Sequence, residues 1–513
     1  MNLARRTNTT WHRKRGAQAV ALALAAGGLV ALQTTTAQAV TAIDGAQTSG
    51  DTMFPHVGNG GYDAKHYDVK LAWTPGATLE TSTVKAKSTM KAKALVPLKT
   101  FSMDFEGLKI SSVKVNGTPA KWSRDIDADA IKYKLVITPA KRVVGSFTTV
   151  VKYSGIPTSH TDADGSSEGW NVTADGATFL GQPIGSMTAF PNNNTPSDKA
   201  TYTFKINIPT KITNSAGTGA AAVASNGELL SKKKTASGTR RTWVWKQKKQ
   251  MASELALISI GKYDVLKSKV RLRSGRVVPE WSFVDSALSA DEKNVINERR
   301  GDIGKILRGL ESIYGRYPGN STGVVVDTVP SGINYALETQ DRSFFPSSRA
   351  VAGDTLTHEL AHQWYGDAVS PTVWTDIWIN EGQAEWAPVH YNNVIAKTSD
   401  ETTEDVFFAA WEGVPADDEA WTIPPAAQTD SANLYGFQTY DRSAQMWEAL
   451  KITIGDRDFF TFLKQWQHRY NGTSRGGKAF IALAEKVSKE DLGPFFQDWI
   501  YDADKPAWPS GPS

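Results

Sequence analysis

The apolar residues of this chain change their spacing once, near Ser286, and that change constrains the fold more than any other feature. From His66 to about Asp264 they alternate with polar ones, the period of a half-buried strand. Val69, Leu71 and Trp73 show it, as do Val113 and Val115 ahead of an Asn116-Gly117 turn, Leu135 and Ile137, Tyr202 to Ile208, Trp243 to Trp245, and Leu255 to Ile260. Strands at this density predict an all-β domain of about 200 residues. Beyond Ser286 the spacing turns helical. Ser289 and Glu292 form a capping box, and Val295, Ile296, Ile303, Ile306, Leu307 and Leu310 follow at helical intervals. A strand is expected over 323–329, and helices around 354–366, 380–395, 441–470 and 478–501. Residues 399–438 read as a long acidic loop, long enough for a wall or lid over a site. The fold class is therefore α+β, with residues 61–265 a β domain, residues 266–513 a mainly helical one, and residues 40–60 a polar lead-in.

With 513 residues the chain is too long for one ordinary core, and 17 Trp with 40% hydrophobic residues describe a folded protein. Its first 39 residues have the physics of an export signal. A basic start precedes an uncharged stretch from Ala17 to Leu32 and the small residues Ala37-Gln38-Ala39, which predicts cleavage near Ala39 and a secreted protein. The stretch is short for a membrane span, and no later one is long and apolar enough. The formal charge of +4 also comes from this segment, whose Arg5, Arg6, Arg13, Lys14 and Arg15 meet no acid, so the remainder carries −1. Strong non-specific binding to nucleic acid or anionic lipid loses its support. The chain has no cysteine, which excludes disulfides, thiol catalysis and thiolate metal ligands. Any metal must be held by nitrogen and oxygen.

The most informative residues are His358-Glu359-Leu360-Ala361-His362. On a helix, positions i and i+4 lie about 40° apart around the axis and one turn along it, so both imidazoles point to one place. A zinc ion bound by two imidazoles needs a third protein ligand and an open position for water. Glu381, nineteen residues after His362, can return on a second helix, with Asp354 or Thr355 capping the first helix and Asp376 the second. A His₂Glu set leaves net positive charge on one Zn²⁺ and so acidifies water, placing Glu359 to take a proton and pass it on.

The run His358-Glu359-Leu360-Ala361-His362-Gln363-Trp364-Tyr365-Gly366-Asp367, followed by Trp374 to Gly382, resembles the zinc motif of the aminopeptidase N family of gluzincins, which includes the leukotriene hydrolases. The resemblance extends from about Gly61 to Trp499. It implies a saddle-like β domain followed by a thermolysin-like catalytic domain, with His358, His362 and Glu381 as zinc ligands and peptides with a free N-terminus as substrates. Gly332 to Thr339 is similar to the family's Gly-x-Met-Glu-Asn segment, an edge strand that pairs with substrate backbone. On that likeness Ala336 contacts substrate and Glu338 anchors its α-ammonium, although Leu337 and Thr339 replace Met and Asn. Gln182-Pro183-Ile184 resembles the family's Gln-x-Glu segment. Gln182 fits, while Ile184 stands where a second acid is expected. Tyr440-Asp441-Arg442-Ser443-Ala444 looks like Tyr-Glu-Lys-Gly-Ala, whose tyrosine stabilises the oxyanion. Tyr435 is a second candidate for that role.

The expected function is a secreted zinc aminopeptidase. Two rivals stay open: a thermolysin-type endopeptidase with the same metal site, and an inert binding protein that keeps a zinc. His160 to Gly165 reads as a polar surface loop rather than a calcium loop. The run from Lys232 to Lys249 reads as a solvated hairpin, with weak contact to an anionic cell wall as a secondary expectation.

Overall fold

The computed structural model describes residues 41–330 and 332–510. The export-signal reading falls outside the described residues. The described residues from Ala42 onward form one compact unit.

The alternating segments become a twisted eight-stranded sheet. Its strands in chain order are β1 (Tyr62–Thr74), β2 (Thr83–Ala94), β3 (Lys109–Val115), β4 (Thr118–Pro119), β5 (Ser146–Gly155), β6 (Ala200–Pro209), β7 (Glu228–Lys234) and β8 (Arg240–Met251). They lie in the order β7-β8-β6-β1-β2-β5-β3-β4. Only the β6–β1 pair is parallel. One face is apolar: Val69, Leu71, Trp73, Phe204, Ile206, Trp243 and Trp245 are each at most 1% exposed. The other faces solvent, as a period of two requires. Asn116 and Gly117 both take positive φ, at 51° and 82°, which joins β3 and β4 by the tight turn that right-twisted strands favour. The lysine run is the β7–β8 hairpin, as expected.

A five-stranded sheet packs beside it, in the order Ser159–Thr161, Ser167–Val172, Ala177–Leu180, Leu257–Gly261, Ala222–Ser225. The chain then enters a four-stranded sheet of Tyr263–Arg271, Val277–Asp285, Val324–Val326 and Ser343–Phe345. The strand expected over 323–329 shortens to three residues, because Asp327 turns its carboxylate onto Tyr263 and Thr178. Arg342 ties these layers together. Buried completely, it donates to the carbonyls of Trp281, Ser225 and Gly227 and lies 4.8 Å over the Trp245 ring.

The helical half is built on α1 (Ala290–Tyr314), α2 (Thr355–Ala361), α3 (Trp378–His390), α4 (Asp441–Tyr470) and α5 (Gly477–Ser488). Both hydrogen bonds of the Ser289–Glu292 capping box form. Ile296, Ile303, Ile306, Leu307 and Leu310 are buried, whereas Val295 is 38% exposed and lies off the stripe. Within α4, Gly455 leaves helical geometry at φ 75°, so the expected single helix is kinked there. The 399–438 segment is less loop-like than expected. It contains a helix, Thr403–Glu412, closed by a Thr402–Asp405 capping box. This architecture, β sheets followed by a helical half, is the α+β class expected.

Candidate active site

The site lies where α2, α3 and the start of α4 face the loops of the β part. Helix α2 carries His358 and Glu359, and His362 follows as its last turn closes. Asp354 occupies the N-cap position but makes no side-chain cap, and Asp376 likewise does not cap α3. Its carboxylate instead accepts from the backbone of Gly477 and from Thr372. Gly366 turns the chain away from α2 at φ 117°, and a Cβ there would lie 3.3 Å from His362 Nδ1. Helix α3 packs antiparallel and presents Glu381. Its neighbour Gly382 lets α4 approach, since an added Cβ would lie 2.5 Å from the Ser443 Cβ. Ser443 therefore stands where the family pattern has glycine because the facing helix supplies the missing space.

Three donor atoms converge. His358 Nε2 and His362 Nε2 are 3.0 Å apart, and Glu381 Oε2 is 3.4 Å from the first and 3.2 Å from the second. Ligands about 2.0–2.1 Å from a tetrahedral Zn²⁺ stand about 3.3 Å from one another, so this triangle has the size such an ion requires. The other ring nitrogens are occupied. His358 Nδ1 pairs with Glu385 Oε2 at 3.0 Å and His362 Nδ1 with the Tyr365 carbonyl at 2.9 Å. Those contacts put the proton on Nδ1 and turn the Nε2 lone pairs inward. Electrostatics agree. Burial alone would lower the His362 imidazole, but the carboxylates of Glu381 and Glu338 outweigh it and raise it to about 9. The pocket favours positive charge, and a divalent cation supplies it. The residues fit the metal.

Around this triangle is a cavity of about 270 Å³. Glu359 lines it, 3% exposed, with Oε2 lacking any hydrogen-bond partner, and burial pushes its carboxyl up to about 8. Glu338 lines it too, also 3% exposed, and its Oε1 accepts from Gln182 Nε2 at 2.6 Å. Ala336, Tyr440 and Tyr435 line it as well. Tyr440 precedes α4, its ring 6.4 Å from that of His358, and the Tyr435 hydroxyl is buried without a partner. The structure thus brings His358, Glu359, His362, Glu381, Glu338, Gln182, Ala336 and Tyr440 into one cavity. Ile184 is not in it. Its side chain is fully buried with Met53, Phe54, Trp374 and Leu434.

The structure also corrects and extends the reading. Gly332 to Thr339 is not a strand; one antiparallel bridge, Leu337 to Phe344, and a hydrogen bond from the Ser167 backbone to the Gly332 carbonyl hold it beside the sheets. Asp164, read as part of a surface loop, lines the cavity, and so do Ser166, Asn334 and Tyr335. Tyr335 is held by its hydroxyl on the Ser167 carbonyl. Glu385, absent from the sequence expectations, stands one turn from Glu381, the spacing that puts both on one face of α3. Trp364, Trp374 and Trp378 are buried core residues, and none lines the cavity.

This fold and this site define a protein with one three-donor metal site and a buried carboxylate beside it. Comparison with known proteins assigns the family. The Peptidase M1 N-terminal domain matches residues 63–255, and the Peptidase family M1 domain matches residues 337–499. The chain belongs to peptidase family M1. It is 22% identical over 339 residues to aminopeptidase M1-D of Oryza sativa, covering 62% of this chain and 36% of that one. With the probable aminopeptidase 2 of Sulfurisphaera tokodaii it shares 27% over 277 residues, 51% of this chain and 34% of the relative. The chain therefore spans about a third of the length of these two relatives. The M1 zinc metallopeptidase of Deinococcus radiodurans superposes with a TM-score of 0.78 at 23% identity, over 91% of this chain and 99% of that one. A mutant of that enzyme has been solved with a Tyr-Ser-Ala substrate.

Proposed function

We propose that this protein is a zinc aminopeptidase that removes the N-terminal residue from peptides. The observation that carries the reading is the presence of the 3.0–3.4 Å donor triangle and a buried Glu338 in the lining of one cavity. A metal site alone would serve an endopeptidase equally. A buried carboxylate in the metal's cavity is stabilised in its charged form by a cation beside it, and the substrate's α-ammonium supplies that cation. Gln182, already bonded to Glu338, fixes the carboxylate and leaves its other oxygen for the amine.

Held by His358, His362 and Glu381, Zn²⁺ would supply Lewis acidity toward the scissile carbonyl and toward water. Glu359 takes the proton of the attacking water and delivers it to the departing amine nitrogen. Its raised affinity for a proton suits both halves of that transfer. The Tyr440 hydroxyl donates to the carbonyl oxygen as negative charge develops there. Glu338 and Gln182 hold the α-ammonium so that the first peptide bond, and no later one, reaches Glu359.

Hydrolysis of an aminoacyl anilide and of its N-acetyl derivative tests the reading. The free amine is expected to be cleaved with a kcat/KM at least about 10²-fold higher, the worth of one buried charge pair. Equal rates, or faster cleavage of the acetylated compound, identify an endopeptidase. A chelator stops cleavage and zinc restores it. The N-terminal sequence supports export to the cell exterior as part of the same proposal, with contact to an anionic wall a secondary one. No helix among the described residues is long and apolar enough to cross a membrane.

A further inference from the structure

The outer face of the eight-stranded sheet carries an arrangement that folding alone does not favour. In the ladder register, Lys205 on β6 lies opposite Lys70 on β1, Lys70 opposite Lys87 on β2, and Lys87 opposite Lys152 on β5. Four lysines thus stand abreast on four neighbouring strands, spanning about 14 Å at the ordinary strand spacing. Like charges directly opposite one another destabilise a sheet. Among the described residues only Lys205 of this row has an ion-pair partner, Asp68. Lys85, next along β2, extends the row into a groove of about 610 Å³ that all five lysines line.

The concentration of charge extends beyond the row. Residues 61–265 hold 28 Lys and Arg against 16 Asp and Glu, a net of +12, while residues 266–513 hold 24 against 35, a net of −11. The near-zero total conceals a basic β part joined to an acidic catalytic half. Catalysis accounts for the acidic half, because a site that receives ammonium groups gains from negative surroundings. It leaves the basic groove unexplained.

We propose that this groove binds a linear polyanion of the phosphodiester class that carries no bases, a polyol phosphate, laid across the strands along the lysine row. Charge complementarity selects a polyanion, and the lining selects its kind. Lysine is a point charge without the planar fork that reads bases or clamps paired oxygens, and no arginine lines the groove. Its one aromatic residue, Tyr153, is 1% exposed and packs inward against Phe105, so it offers no platform for stacking bases. Such a polymer would hold the enzyme at an anionic matrix while the acidic half, with its cavity, stays open to peptides. This surface differs from the β7–β8 hairpin that the sequence singles out, because its lysines come from four separate strands.

The experiment is a titration of the full-length, zinc-loaded protein with a synthetic poly(glycerol phosphate) oligomer at several salt concentrations. Binding is expected, with log K falling against log salt at a slope of about −3, as for about four phosphate contacts. The triple variant Lys70→Gln/Lys87→Gln/Lys152→Gln should bind at least about tenfold more weakly, with a shallower slope. Its anilide kcat/KM should be unchanged and its melting temperature no lower. The variant Lys232→Gln/Lys233→Gln/Lys234→Gln, on the hairpin, should bind as the wild type does. No binding, undiminished binding by the first variant, or loss of binding confined to the hairpin variant would overturn the proposal. Equal or tighter binding of a thymidylate strand of the same charge would overturn the choice of partner.

Discussion

Exchanging Glu359 for Gln is expected to lower kcat by at least about 10²-fold while one zinc per chain stays bound. The reason is specific to this carboxylate. It sits beside His358 but is not one of the three converging donors, so the metal site keeps its full ligand set. Its Oε2 is buried in the cavity with no protein partner, the condition of a group that must be free to take a proton. Glutamine has the same shape, but it cannot carry a proton from water to amine. KM should change little, since Glu359 is not among the groups that hold the substrate. A variant that retains more than about a third of wild-type turnover would remove Glu359 from the chemistry.

The second large effect is expected at Glu338. Glu338→Gln should lower kcat/KM for free-amine anilides by about 10²–10³-fold, the range for breaking a buried charge pair. The slow hydrolysis of an N-acetyl substrate should stay the same or improve. That opposite response separates an amine anchor from a residue that merely supports the fold, whose loss would lower both rates together. Gln182 donates to Glu338 Oε1 at 2.6 Å and can donate equally to the new amide oxygen, so the pocket need not rearrange. A uniform loss on both substrates would contradict the anchor.

Much of this site is legible in the sequence because its chemistry imposes spacing. Two imidazoles one turn apart reach one ion whatever surrounds them, so His358 and His362 declare themselves without a structure, and Glu381 follows from the need for a third ligand. The division into β sheets and a helical half is legible for a similar reason, since periods of 2 and 3.6 cannot both suit one core. What sequence left unread depends on groups that meet only after folding. Asp164 reaches the cavity because the Ser159–Val172 hairpin leans over it, and nothing in an Asp-Gly turn announces that. Ile184 is apolar because its side chain joins the cluster around Trp374, a neighbour 190 residues away. Ser443 is tolerated only because Gly382 faces it. The segment before Glu338 resembles a strand of the family, yet its ladder pairing among the described residues is one bridge to Phe344. The lysine row is invisible for the same cause, being spread over β1, β2, β5 and β6.

Diffraction at the zinc absorption edge from metal-loaded crystals tests the central claim most directly. One anomalous peak is expected, about 2.0–2.2 Å from His358 Nε2, His362 Nε2 and a Glu381 oxygen, with Glu359 outside that shell. A peak ligated without Glu381, or a strong peak elsewhere with this triangle empty, would contradict the account.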